Sequence, residues 1–229
     1  MTKLMTKKMF EKGAPKSITP APPRLPQELE PFATEQLEQE GRYSELSFGK
    51  LDFRAQCADQ AKLENCKAVG TNFSETELRS SRLIDVEFDR CTIMNADWHG
   101  VTLRRAHFDI CSITALKLVE SKLQDVVFKG CKGPLSSFRF AKLETVTFDE
   151  CILTEADFYS TEFVNVVFVN CDLQQADFSR SKLKGIDLRT SKIEGIKAGP
   201  AELTGAIIDP AQAIVLARAM GLDVRLGST

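Results

Sequence analysis

Every fifth residue from Phe48 to Ile208 falls in one unbroken register, and nearly all of them are apolar. The series begins Phe48, Phe53, Ala58, Leu63, Ala68, Phe73. It continues through Trp98, Phe128 and Phe178 to Leu203 and Ile208. A second inward set sits two residues before each centre and is small: Ala61, Cys66, Thr71, Thr76, Ser81, Ala96. The other three positions of each unit are mostly polar. A period of five fits neither a helix, with a repeat near 3.6, nor a flat strand, with a repeat of two. Two inward residues in five require a chain that turns a corner once per unit. Self-similarity at a fixed short period is the mark of a solenoid, in which each coil buries its apolar face only by stacking on its neighbours.

A longer period gives the number of sides. Cys91, Cys111, Cys131, Cys151 and Cys171 recur every twenty residues, all at the small inward position. Phe88, Phe108, Phe128, Phe148 and Phe168 form a column of centres with the same spacing, and Leu63, Leu83, Leu103, Leu123, Leu143 and Leu183 form another, with Phe163 interrupting. Twenty residues therefore make one coil, and four units make its four sides. The expectation is an all-β solenoid of about eight coils, a rod about 39 Å long at a coil spacing of ~4.8 Å.

Units such as Ala96-Asp97-Trp98, Ala156-Asp157-Phe158 and Ala176-Asp177-Phe178 match the A-(D/N)-(L/F)-X-X motif, and over residues 46–208 the sequence resembles the pentapeptide repeat proteins. That resemblance implies a right-handed quadrilateral β-helix.

Three segments follow: a proline-rich leader and N-terminal cap over 1–45, the solenoid over 46–208, and a C-terminal helix and tail over 209–229. Pro15, Pro20, Pro22, Pro23, Pro26 and Pro31 make the leader extended or disordered. Phe32, Leu37 and flanking glutamates between Glu28 and Glu40 suggest a short helix, and the leader reads either as a tail followed by a segment covering the first coil or as a partner-binding arm. At the other end Asp209 suits an N-cap, Pro210 the first helical position and Gly221 a C-cap. Ile214, Val215, Leu216 and Met220 make that helix so apolar that burial is expected, either by closing the last coil or by pairing with a second copy. Leu222 to Leu226 alternate in polarity, which suggests a short terminal strand.

The formal net charge is -2, so there is no global preference for nucleic acid. No apolar run approaches the ~20 residues of a membrane span. The basic N-terminus lacks the apolar stretch of a signal peptide, which makes a cytoplasmic location the default. The cysteines form no C-x-x-C pair, and His99 and His107 fall on different sides, so the ladder thiols read as small hydrophobes and no metal or cofactor is expected. Cys57 is the exception, because its position points outward. Inward serines such as Ser81, Ser121 and Ser181 are placed to bond the backbone rather than to attack a substrate, and no Gly-rich phosphate loop is present. The reading is a non-enzymatic protein-binding scaffold.

The C-terminal Met220-Gly221-Leu222-Asp223-Val224 is similar to the ending of the fluoroquinolone-resistance pentapeptide repeat proteins (Qnr type). That resemblance implies a tip-to-tip homodimer through the helix. It also implies an alternative function, DNA-mimicking docking on DNA gyrase or topoisomerase IV, which needs a strongly acidic face. The repeats instead carry 23 acidic and 21 basic residues. The leucine side even aligns Lys62, Arg82, Lys122, Lys142 and Lys182, interleaved with Glu64, Asp85, Asp125 and Glu144. Without exposed aromatics for base stacking, this reads as a solvated face rather than a direct nucleic-acid interface. One local defect stands out: Gly133 lacks the central apolar side chain, Pro134 follows it, and Leu116 is large where the column is small. It reads as a compensated packing exchange or a recognition notch.

Overall fold

The computed structural model of the chain describes residues 19–225. The basic N-terminus, Pro15 and Leu226 lie outside them. Every fifth residue from Glu40 to Gly185 has a left-handed backbone, with φ between 49° at Arg105 and 80° at Gly185. Most of these corner residues are not glycine, although the conformation costs an L-residue roughly 1–2 kcal/mol. The ladder between coils offsets that cost. The corner amides of Lys50, Ala55 and Gln60 donate to the carbonyls of Val69, Ser74 and Arg79 in the next coil at 2.9, 2.9 and 2.8 Å.

The strands are β1 (Glu30–Pro31), β2 (Arg42–Ser44), β3 (Leu46–Gly49), β4 (Lys62–Val69), β5 (Arg82–Asp89), β6 (Thr102–Asp109), β7 (Lys122–Lys129), β8 (Lys142–Asp149) and β9 (Glu162–Val169). All pair in parallel. From β2 onward the register is twenty residues, so that Leu83 faces Leu103 and Phe88 faces Phe108. Each long strand bends at a left-handed residue and so forms two sides of the rod. The other two sides are tied by single parallel bridges, such as Asn72 to Thr92 and Asp97 to Lys117. Seven coils carry strands, and the eighth, from Lys182, turns without one.

The core is a column of stacked rings. Phe88 and Phe108 lie 4.8 Å apart at 9°, and Phe128 and Phe148 lie 5.0 Å apart at 5°. Phe138, Phe158 and Phe178 make a second stack. Trp98 is fully buried, and its indole N–H donates to Thr76 Oγ1 at 3.1 Å. The small inward residues share one hydrogen bond, to the carbonyl twenty-three residues earlier: Thr71 to Phe48, Ser121 to Trp98, Cys111 to Phe88, Cys151 to Phe128 and Ser181 to Phe158. Where the inward side chain carries a donor, that donor finds a backbone carbonyl, so Ser, Thr and Cys are accommodated there beside the donor-free Ala61 and Ala96.

Residues 32–41 close the first coil without the helix suggested by their glutamates. β1 adds to β3 instead, and Phe32 places its ring 4.9 Å from Phe48 and 5.5 Å from Tyr43. Gln56 anchors the rest, accepting from Leu37 N and donating to Glu35 O, both at 2.7 Å. An extended segment can supply the missing ladder partners of the first coil, and a helix cannot.

At the far end α1 (Pro200–Leu203) and α2 (Pro210–Ala219) follow the last coil. Asp209 and Gln212 form a reciprocal capping box at the start of α2. Gln212 also donates through Nε2 to the carbonyls of Leu188 and Ser191, both at 2.7 Å, and Leu216 is buried. The helix is not buried all round, contrary to its composition: Ile214 and Met220 are exposed, as is Leu222 beyond it. Residues 222–225 form no strand. Among the described residues no helix is long and apolar enough to cross a membrane.

Candidate interaction surfaces

The defect at Gly133 is filled from its own column. A Cβ on Gly133 would lie 2.7 Å from Ile113 Cγ1 and 3.4 Å from Leu153 Cδ2, and Leu116 is fully buried. Pro134 removes no ladder bond. The amides at the equivalent positions of Arg54, Ser74 and Gln174 turn to their own Asp52, Asn72 and Asp172 side chains. The Pro134 carbonyl still accepts from Ala115 N at 2.9 Å.

Cys91, Cys111, Cys131, Cys151 and Cys171 are all buried and free, while Cys57 is exposed. Burial pushes the Cys66 thiol up. The hydrogen-bonded neighbour Cys131, and then burial, push Cys151 up to about 12. These are thiols held neutral inside a packed column. Cys57 lies close to Asp59 and Glu77, but the Arg79 guanidinium already sits there, 3.7 Å from Asp59 and 2.6 Å from Glu77. A bound side-chain cation stands where a metal would. His99 lies 3.6 Å from Glu120, and the half-buried His107 is held below the usual imidazole range by desolvation, so the two do not converge.

Charge on the faces is locally paired. Arg79 also meets Asp97 at 2.9 Å, Lys67 meets Glu87 at 2.9 Å, and Arg139 meets Asp157 at 2.8 Å. Lys62, Arg82, Lys122 and Lys142 do align across β4, β5, β7 and β8, with Thr102 and Glu162 interrupting the row. One exposed aromatic cluster escaped the sequence reading: Phe140 and Tyr159 meet edge to face at 5.6 Å, and Arg139 lies over Tyr159 at 4.4 Å. The signal was a phenylalanine at a corner position that is otherwise polar or small, such as Glu120 and Ser160.

The leader supplies a further feature. Residues 19–29 run along the left-handed corner between the leucine and phenylalanine sides, with a bend at Gln27 and Glu28. Ala21 N donates to Asp125 Oδ1 at 3.2 Å, Arg24 N to Asp85 Oδ1 at 2.9 Å, and Glu30 N to the Glu45 carbonyl at 3.0 Å. Glu45, Asp85 and Asp125 belong to one column. Pro20 is buried, as are Asp85 and Thr145 of that column, whereas Asn165 of the same column is exposed. Burial disfavours the charge on Asp85, but Arg105 and the Arg24 amide outweigh it and hold the carboxyl below its usual value.

Comparison with known families matches "pentapeptide repeat region" over residues 81–158 and 141–209, and "pentapeptide repeats (8 copies)" over 59–94. No curated protein matches significantly. Among solved structures, a trypsin-treated variant of QnrB1, a plasmid-mediated fluoroquinolone resistance protein, aligns at TM-score 0.56 and 16% identity, covering 81% of this chain and 100% of that one. HetL, a pentapeptide repeat protein involved in heterocyst differentiation regulation from the cyanobacterium Nostoc sp. strain PCC 7120, aligns at TM-score 0.41 and 19% identity, covering 74% of this chain and 90% of that chain. The likeness to QnrB1 is one of fold.

Proposed function

The chain belongs to the pentapeptide repeat family, and from that premise we propose that it is a non-enzymatic, rigid scaffold that binds another protein along its outer faces. The observation that carries this reading is the filled interior: the centres from Phe48 to Leu188 are buried apart from the half-buried Phe163, and the space left by the side chain Gly133 lacks is filled by its neighbours. Chemistry needs a pocket with convergent groups; this rod offers surface grooves instead, such as the one between Lys67, Glu87 and His107. A cytoplasmic setting, with reduced thiols, belongs to the same reading.

The exposed tip supports self-association. Ile214, Met220 and Leu222 are apolar and uncovered, whereas Leu216 packs on its own rod and Val215 is half-buried. The dimer contact therefore centres on Ile214 and Met220.

Docking on DNA gyrase or topoisomerase IV is the second reading, motivated by the QnrB1-like fold. The paired charges weigh against a DNA-like acidic face. A gyrase supercoiling assay, with and without a fluoroquinolone, separates the two. The scaffold reading expects no effect at high protein concentration and a specific partner in a pull-down. Inhibition or drug protection at low micromolar concentration replaces it with the topoisomerase reading.

A further inference from the structure

The leader and its corner fit each other with a regularity that a loose tail does not need. Within residues 20–24 (Pro-Ala-Pro-Pro-Arg) only Ala21 and Arg24 own an amide hydrogen, and both donate to corner aspartates. The two donors are three residues apart, which in a polyproline II chain is about 9.3 Å. Their acceptors, Asp125 and Asp85, are two coils apart, about 9.6 Å at the spacing of neighbouring strands. The spacings of ligand and track therefore match. Asp85 is oriented for this by Arg105 of the intervening coil, whose Nε and Nη2 hold its two oxygens at 2.6 and 2.5 Å. Prolines carry no amide to leave unsatisfied, and their fixed φ lowers the entropy lost on docking.

We propose that the Asp85–Arg105–Asp125 corner is a binding site for extended proline-rich peptides of the pattern Pro-x-Pro-Pro-x. Residues 20–24 of the chain occupy it in cis, and a partner protein carrying the same pattern engages the rod here by displacing them. Recognition rests on backbone N–H groups three residues apart meeting carboxylates two coils apart. It does not use the aromatic-lined grooves that commonly receive polyproline helices. The site is distinct from the tip and from the Tyr159 cluster, so it stands or falls apart from the dimer.

The test uses the full chain with Ala21→Pro and Arg24→Pro. These keep the leader extended but delete both donors, and the new rings crowd the carboxylates. NMR relaxation of the Leu25 amide reads release of the leader, and fluorescence anisotropy with a labelled peptide of residues 19–28 reads binding in trans. The expected result is greater Leu25 mobility than in the wild type and saturable peptide binding to the released variant. Binding should be at least ten-fold weaker to the wild type, whose site is filled, and to the released variant that also carries Asp125→Ala. Asp125 is chosen because, unlike Asp85, it is not locked in the Arg105 pair. A peptide with proline at both donor positions should not bind. A Leu25 amide as rigid in the double-proline variant as in the wild type would overturn the assigned donors. Absence of peptide binding to a released, folded variant, or equal binding to all three proteins, would overturn the site.

Discussion

Arg105 grips Asp85 with two parallel hydrogen bonds, and only 11% and 8% of the two side chains are exposed. A pair so enclosed adds little over apolar side chains of the same size, yet breaking it strands a charge. Asp85→Ala should cost about 3–5 kcal/mol in urea unfolding, while Asp85→Leu with Arg105→Leu should cost less than either single change. A double mutant less stable than both singles would remove this account.

The same carboxylate sets an acid limit. Its folded pKa lies below its unfolded value, so its contribution is complete above the unfolded pKa of about 3.9 and disappears as pH falls through the folded one. The difference in melting temperature between wild type and Asp85→Asn should therefore hold from pH 7 to about pH 4 and shrink below it. A gap that narrows between pH 7 and pH 5 would point to another group.

Leu116 is fully buried at an inward position that holds Ala96 and Ala156 elsewhere in its column. Leu116→Ala should destabilise the rod by about 2–4 kcal/mol, read by chemical denaturation. Gly133→Leu should also destabilise, by about 1–3 kcal/mol, because Ile113 and Leu153 already fill its space. A near-neutral Leu116→Ala would count against the packing account and for a notch open to partners.

Of seven cysteines, Cys57 is exposed and the other six are buried. Titration of the native protein with a thiol reagent should give one fast equivalent, abolished by Cys57→Ser. The remainder should appear only on unfolding. Several fast thiols in the folded protein would mean that the ladder opens.

Met220→Glu with Ile214→Glu should convert a dimer to a monomer in light scattering, with little change in melting temperature, since both side chains are exposed in the single rod. Gln212→Ala should instead lower stability by about 1–3 kcal/mol, because it abandons two buried carbonyls. A wild type that is already monomeric at high concentration would end the tip-to-tip reading.

The solenoid was legible because burial repeats: Phe88, Phe108 and Phe128 fall in one column whatever the corners look like. The corners themselves were legible from the period, but their left-handed backbone was not. Left-handed backbone usually announces itself through glycine, and here Asp85, Arg105 and Asp125 adopt it, held by amide bonds to the next coil rather than by their own preference. The segment near Leu37 read as a helix because glutamates favour one locally, and the unpaired edge of the first coil overrode that preference. The leader's dock was invisible for a different reason. Ala21 and its acceptor stand 104 residues apart with no shared period, so no repeat or motif joins them.

Stacked-coil proteins come apart from their ends, since each coil holds only its neighbours. A strap bonded at Glu45, Asp85 and Asp125 changes that order of events. The first coils cannot peel away singly while it is seated; they must loosen as a block. Whatever lifts the strap turns the N-terminal half of the rod from a cooperative unit into one that can fray coil by coil.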